Sequence, residues 1–175
     1  MSTCILNSGY SLGCKDNIGG IRRVYIGNFA DDNIYVEDAD NIITSMLNST
    51  SGAITYYTFE QRQESGEFNE NGNHSVENGT TFYEQVLSLI FTKNEATLRN
   101  TLFLLAKSTL SVIVETQNGR YILMGKINAV NMTASTVATG KAYGDLNGTN
   151  VTLTGKEPQS AQEISAAGFA TLTIV

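Results

Sequence analysis

Apolar residues in this chain recur mainly at every second position, in short segments set apart by Gly, Asn and Asp. Alternation of this kind puts successive side chains on opposite faces of a strand. Residues 21–29 form the first such segment, centred on Val24, Tyr25 and Ile26. Asp31-Asp32-Asn33 makes a turn, and residues 34–36 and 42–46 read as short strands. In 53–59, Ile54, Tyr56 and Thr58 share one face while Thr55, Tyr57 and Phe59 share the other. Residues 60–79 are polar, with few large apolar side chains beyond Phe68. They read either as a strand running into a loop or as the tip of a long hairpin. Residues 80–92 are the most strand-like of all. Tyr83, Leu87, Leu89 and Phe91 line one face, and Phe82, Val86 and Ile90 the other. Apolar side chains on both faces predict a strand between two covered surfaces.

The helical period appears once. Over 94–107, Leu98, Thr101, Leu102 and Leu105 fall on one stripe, with Asn94 as the expected N-cap. Glu95 and Lys107 suit the positive and negative ends of the helix. Phe103 and Leu104 widen the apolar surface beyond what one sheet beneath would require, which predicts a second contact surface. Asn118-Gly119 then joins 111–116 to 121–126 in a hairpin. A strand near 128–132, a small-residue connector at 133–140 and a turn at 146–148 lead into 151–154. After Pro158 come a polar link and a last β-rich segment, 169–175.

This order, about eight to ten strands with one helix among them, predicts a mainly β protein. The expected fold is a β-sandwich or barrel-like protomer with one flanking helix, residues 94–107. A single domain spans 1–175, with a flexible Gly-rich arm at 1–20 and a C-terminal segment after Pro158.

Charge changes this picture. Residues 31–84 hold eleven of the seventeen carboxylates and one base, Arg62, giving −10, whereas 1–30 and 85–175 are each +2. Within 60–84, Glu60, Glu64, Glu67, Glu70, Glu77 and Glu84 face only Arg62 and His74. A solvated acidic hairpin is the plain account of this clustering. A concentrated acidic surface would also repel nucleic acid rather than grip it. The eleven bases are scattered, with no stripe interleaved with aromatics.

Chemistry is sparse. One histidine, His74, and no nucleophile with a motif partner leave triad chemistry unsupported. Thr139-Gly140-Lys141 lacks the Gly at 135 and the Ser or Thr at 142 that a phosphate loop needs. Asp31, Asp32, Glu37, Asp38 and Asp40 lack calcium-loop spacing. Cys4 and Cys14 cannot make a structural zinc site with one distant histidine. Free thiols are the expectation, with a disulfide as the alternative. The reading is therefore a non-enzyme with no cofactor and no metal. No secretion signal is apparent, and the longest apolar run, 102–106, falls far short of a membrane helix. Six Asn-X-Ser/Thr sequons are attributed to composition.

Several segments resemble the tail-tube, or major-tail-type, virion proteins of tailed phages, notably those of Bacteroidetes hosts. They are Cys4, Gly9-Tyr10 and Cys14-Lys15-Asp16, then Gly19-Gly20-Ile21 and Val24-Tyr25-Ile26. Ser75 to Thr80 leading into Phe82-Tyr83-Glu84-Gln85 continues the likeness. So do Leu104 to Lys107, Asn118-Gly119, Gly144-Asp145 with Asn147-Gly148, and Leu153 to Glu157. The resemblance implies protomers that close into rings, with six the expected number, and rings that stack into a tube. The protein's partners would be itself and other virion tail proteins, with DNA only in passage and no membrane. Its place would be the phage tail, assembled in the host cytoplasm. On this view the six clustered glutamates face the lumen or the next ring. Glu60, Glu64 and Glu70 share a strand face with Arg62, so a bulge or turn is expected near Ser65-Gly66. The arm and the segment after Pro158 are the expected inter-ring contacts. Two other readings stand beside this one. One is a capsid decoration or tail ring protein, and the other is a β-sandwich module that binds glycan or a host surface.

Overall fold

The strand β7 (Leu110–Thr116) is buried at six successive positions, from Leu110 to Glu115. Such a run needs cover on both faces, and the rest of the chain supplies it. The computed structural model describes residues 9–175. The expectations placed on Cys4, and on the first eight residues of the arm, lie outside the described residues.

On one side β7 pairs antiparallel with β1 (Ile21–Asn28), which pairs in turn with β4 (Thr55–Glu60). The short β12 (Thr173–Ile174) adds to β4 in parallel. On its other side β7 pairs with β8 (Tyr121–Met124), followed by β11 (Gln162–Ile164), β3 (Ile43–Asn48) and β2 (Asn33–Glu37). This is the central sheet. At its first residue, Leu110, β7 also bridges to Val130 of β9 (Val130–Ala138). From there a second run, the outer sheet, continues antiparallel through β10 (Gly148–Glu157), β6 (Thr80–Thr92) and β5 (Glu67–Ser75). Two helices complete the fold, α1 (Ala96–Leu105) and α2 (Ala166–Ala170).

Two cores use the two faces of the central sheet. Val24 and Ile26 of β1 and Val112 and Val114 of β7 meet Leu87, Leu89, Val151 and Leu153 of the outer sheet. Leu102 of α1 closes one end of this core, with Leu98 and Leu105 half-buried against it. The opposite face carries Tyr25 and Ile113, which pack with Ile43, Met46, Tyr56, Leu123 and Ile164. There Tyr121 stacks on Phe169 at 4.1 Å, and Tyr25 lies 5.0 Å from Phe169. At Gly27 a Cβ would come within 2.9 Å of the Thr55 carbonyl oxygen and 3.0 Å of the Tyr56 ring. That close approach of β1 to β4 requires glycine. The molecule is mainly β, as its alternation predicts, and sandwich-like in its layering.

Several expectations need correction. Glu95, not Asn94, is the N-cap of α1, and it makes no side-chain cap bond. Asn94 Oδ1 instead accepts from Arg99 Nε at 2.6 Å. Lys107 lies past the helix, over the Phe103 ring. Residues 133–138, expected as a connector, are strand. The strand β6 is covered on one face only, because Phe82 and Ser88 on the other are exposed. The segment after Pro158 is no arm. Ile164 and Gly168 are buried, and Thr171 Oγ1 bonds to both the amide and the carbonyl of Met46. The leader from Gly9 to Gly20 is exposed throughout. No helix among the described residues is long and apolar enough to cross a membrane.

Candidate assembly surface

The outer sheet has one buried face and one open face. Its register sets Asn69, Val86 and Thr154 side by side, then Glu67, Ser88 and Thr152, and then Asn71, Glu84 and Lys156. Ile90, Asn150 and Thr136 form the next row. The open face is thus largely Thr, Asn and Ser. Its charges in these rows are Glu67 and the pair Glu84–Lys156, separated by 3.6 Å. A register shift in β9 lets Thr133 Oγ1 reach Thr154 Oγ1 at 3.0 Å.

Both edges of this sheet are open. Beyond the single bridge at Val130, β9 pairs only with β10, and β5 pairs only with β6, among the described residues. The nine residues of β9 include no charged side chain and no proline. Proteins that must stay monomeric guard such an edge with Lys, Pro or bulges. Apart from the bulge at Thr133, β9 carries none of these, and an uncharged edge strand of this length is a template for another chain.

The six clustered glutamates do not form one surface. Glu60 ends β4, 3.9 Å from Arg23 Nε. Glu64 sits in the turn before β5 with a positive φ of 60°. A turn does occur there, closed by Ser65 N donating to the Arg62 carbonyl at 3.3 Å. Glu67 lies on the open face of β5, Glu77 in the exposed turn between β5 and β6, and Glu84 beside Lys156. Glu70 points the other way. Its carboxylate accepts from Gln85 Nε2 at 3.1 Å, Ser160 Oγ at 2.7 Å and the Ala161 amide at 2.6 Å. It therefore fastens the segment after Pro158 to the outer sheet.

Glu157 and Gln85 extend this fastening. Glu157, only 3% exposed, accepts from the amides of Ile127 and Asn128, and Gln85 Oε1 accepts from the Gly125 amide. Lys126 reaches Glu37 and Gln162, and the Lys126 bond holds the Glu37 carboxyl below its usual range. Of the acids of 31–40, Asp32 and Asp38 likewise serve turns. Asp32 accepts from Thr50, Asn48 and Ser49, which lowers its pKa, and Asp38 accepts from the amides of Asp40 and Ile42. Asp145 is lowered by the amides of Ala142 and Lys141.

No protein-family model matches the chain, and comparison with curated proteins finds no match.

The edge of β9 was the feature that sequence reasoning missed. Its small residues look like a connector, and the only signal was the β-branched set Thr133, Thr136 and Val137.

Proposed function

We propose that this chain is a non-enzymatic virion structural protein that closes into rings of its own copies, stacked as a phage tail tube. The observation that carries the reading is the outer sheet with two open edges and one polar face. Its strands alternate in direction from β9 to β5. When β5 of one copy meets β9 of the next, the two run antiparallel and the alternation continues unbroken. Such a contact is heterologous, so it generates a closed ring when the rotation between copies is right. Closure removes both edges at once. Six copies is the number the resemblance implies.

In such a ring the open face lines the channel. Thr, Asn and Ser side chains offer no fixed cations to release counterions from DNA, and Glu67 repels its phosphates. DNA therefore passes without being held. Glu60, Glu64 and Glu77 lie in loops or at strand ends, where contact with the next ring is the better role.

The test is negative-stain electron microscopy of the purified protein together with its solution mass. Rings or tubes with a central channel are the expected result. A monodisperse monomer at high concentration would sink self-assembly and favour the capsid decoration reading.

A further inference from the structure

In an Asn-Gly pair the asparagine side chain is open to attack by its own backbone, because glycine has no Cβ to shield the following nitrogen or limit its rotation. The chain holds four such pairs, at Asn71, Asn78, Asn118 and Asn147. Attack requires the glycine nitrogen to swing beside the asparagine Cγ. What holds each backbone and each side chain decides whether it can.

Three of the four pairs are held. Asn71 and Gly72 lie within β5, in register with Glu84 and Tyr83, and an extended backbone points the glycine nitrogen away from Cγ. His74 Nε2 also lies over Gly72, 2.8 Å from the place a Cβ would take. At Asn118 the nucleophile itself is occupied, because Gly119 N donates to the Thr116 carbonyl at 3.0 Å. The Asn118 side chain is pinned as well, with Oδ1 accepting from Ile18 N at 3.0 Å and Nδ2 donating to Asn17 Oδ1. At Asn147 the backbone carbonyl accepts from Lys93 N at 2.9 Å, which fixes the peptide plane that would have to turn. Gly148 is buried in the ladder between Thr92 and Ala138, with the Phe91 carbonyl oxygen 2.2 Å from the place of a Cβ.

Asn78 stands apart from these. The β5–β6 ladder closes at Ser75 and Thr80, which leaves 76–79 as an exposed turn. The turn's bond to Asn78 runs from its backbone amide to Ser75 Oγ at 3.3 Å and leaves the side chain to water. Gly79 has a φ of 61°, and no atom beyond its chain neighbours lies within 4 Å of the place a Cβ would take.

We infer that Asn78 is a self-modification site of the folded protein, with Gly79 N as the nucleophile and water as the second reactant. Gly79 N gives its proton to a solvent base and bonds to Asn78 Cγ. Ammonia leaves, and a five-membered succinimide closes. Water then opens one imide carbonyl or the other, giving aspartate or isoaspartate. One water is consumed and one ammonia released, with no change in oxidation state. Either product sets a new carboxylate beside Glu77 in the acidic hairpin, and isoaspartate also lengthens the turn's backbone by one carbon. The chemistry needs one folded copy and no ring.

The test is peptide mapping by mass spectrometry of the full-length protein, held at mildly alkaline pH and physiological temperature with and without urea. Exchange of NH2 for OH marks each converted site, and isoaspartyl-specific enzymatic methylation marks the isomer. In the folded protein Asn78 should convert at least tenfold faster than each of the other three, whereas in urea the four rates should agree within about threefold. Asn78→Gln should remove the fast reaction and leave the circular dichroism spectrum unchanged, since the side chain is exposed. Equal rates at the four sites of the folded protein would overturn the inference. So would a tenfold slowing of Asn78 on folding, or a fast reaction that survives Asn78→Gln.

Discussion

β7 and β9 touch at one bridge, between Leu110 and Val130, and beyond it they are handled in opposite ways. The strand β7 has a neighbour on each side and a core on each face. The strand β9 has one neighbour beyond the bridge, and Thr133 to Val137 are exposed. The first arrangement is what makes a protomer stable, because apolar burial contributes about 25 cal/mol for each Å² removed from water. The second leaves backbone donors and acceptors without partners in the isolated chain, a state that association relieves. Stability and the proposed assembly thus fall to different strands, and substitutions should separate them.

The largest separation is expected at Ile113, which is fully buried in β7. Ile113→Asp places an unpaired carboxylate in the second core and should cost more than about 4 kcal/mol, enough to unfold a domain of ordinary stability. Thr136→Asp, on exposed β9, should change stability by less than about 0.5 kcal/mol. Urea denaturation followed by circular dichroism measures both. Similar midpoints for the two variants would erase the distinction between the sheets.

A second effect sharpens the role of the central sheet. The Tyr25 hydroxyl donates to Glu115 Oε2 at 2.7 Å, and burial together with that carboxylate pushes its pKa up to about 12 from 10.0. The folded state therefore favours the protonated phenol. Its stabilising contribution is intact below pH 10.0, and it declines as pH rises towards 12 and the unfolded chain ionises first. The loss amounts to about 2–3 kcal/mol. Alkaline denaturation of Tyr25→Phe should lack that share. Tyr56, also raised by burial and bonded to Ser111, keeps its own. An identical alkaline profile for Tyr25→Phe would remove the hydroxyl from the account.

How legible a strand is in the sequence follows its burial, and the reason is physical. Burial on one face writes a period of two into a strand and burial on both writes a continuous apolar run, so 21–29, 53–59, 111–116 and, in the outer sheet, 80–92 locate β1, β4, β7 and β6 to within about two residues at each end. The strand β9 buries little besides Val130 and shows no period, and β5 is a polar strand held by its pairing with β6. Neither strand's pairing is specified by its own residues alone. The helix α2 is five residues long, too short for a helical stripe to be seen, and β11 is fixed by neighbours far away in sequence. The clustered glutamates mislead for a related reason. Sequence distance counts charges but not faces, so it cannot separate Glu70, turned inward to Ser160 and Ala161, from Glu67 on the open face.

That distinction gives a third, smaller effect. Changing Glu60, Glu64 and Glu70 to Lys together, as a test of an acidic lumen, would mix unlike positions. Glu70→Lys removes the acceptor for Gln85, Ser160 and the Ala161 amide and should cost about 1–3 kcal/mol. Glu60→Lys and Glu64→Lys alter exposed groups and should stay within about 0.5 kcal/mol. Thermal unfolding of the three single variants checks the ranking. Equal melting temperatures would show that the fastening at Glu70 contributes nothing.

The smallest expected change in stability accompanies the largest expected change in assembly. Ser135 and Val137 are exposed on β9, and Lys at both positions places two charges along the uncharged edge. Neither side chain contributes to a buried core, so the monomer's unfolding free energy should move by less than about 0.5 kcal/mol. Pairing with another chain's β5 would then have to bury or crowd two ammonium groups against the incoming strand, as edge lysines do in proteins that remain monomeric. Solution mass should fall to that of the monomer while the circular dichroism spectrum stays unchanged. If the doubly substituted protein still forms rings, β9 is not the joining edge, and the open strand must be explained by a contact along the proposed tube rather than around it.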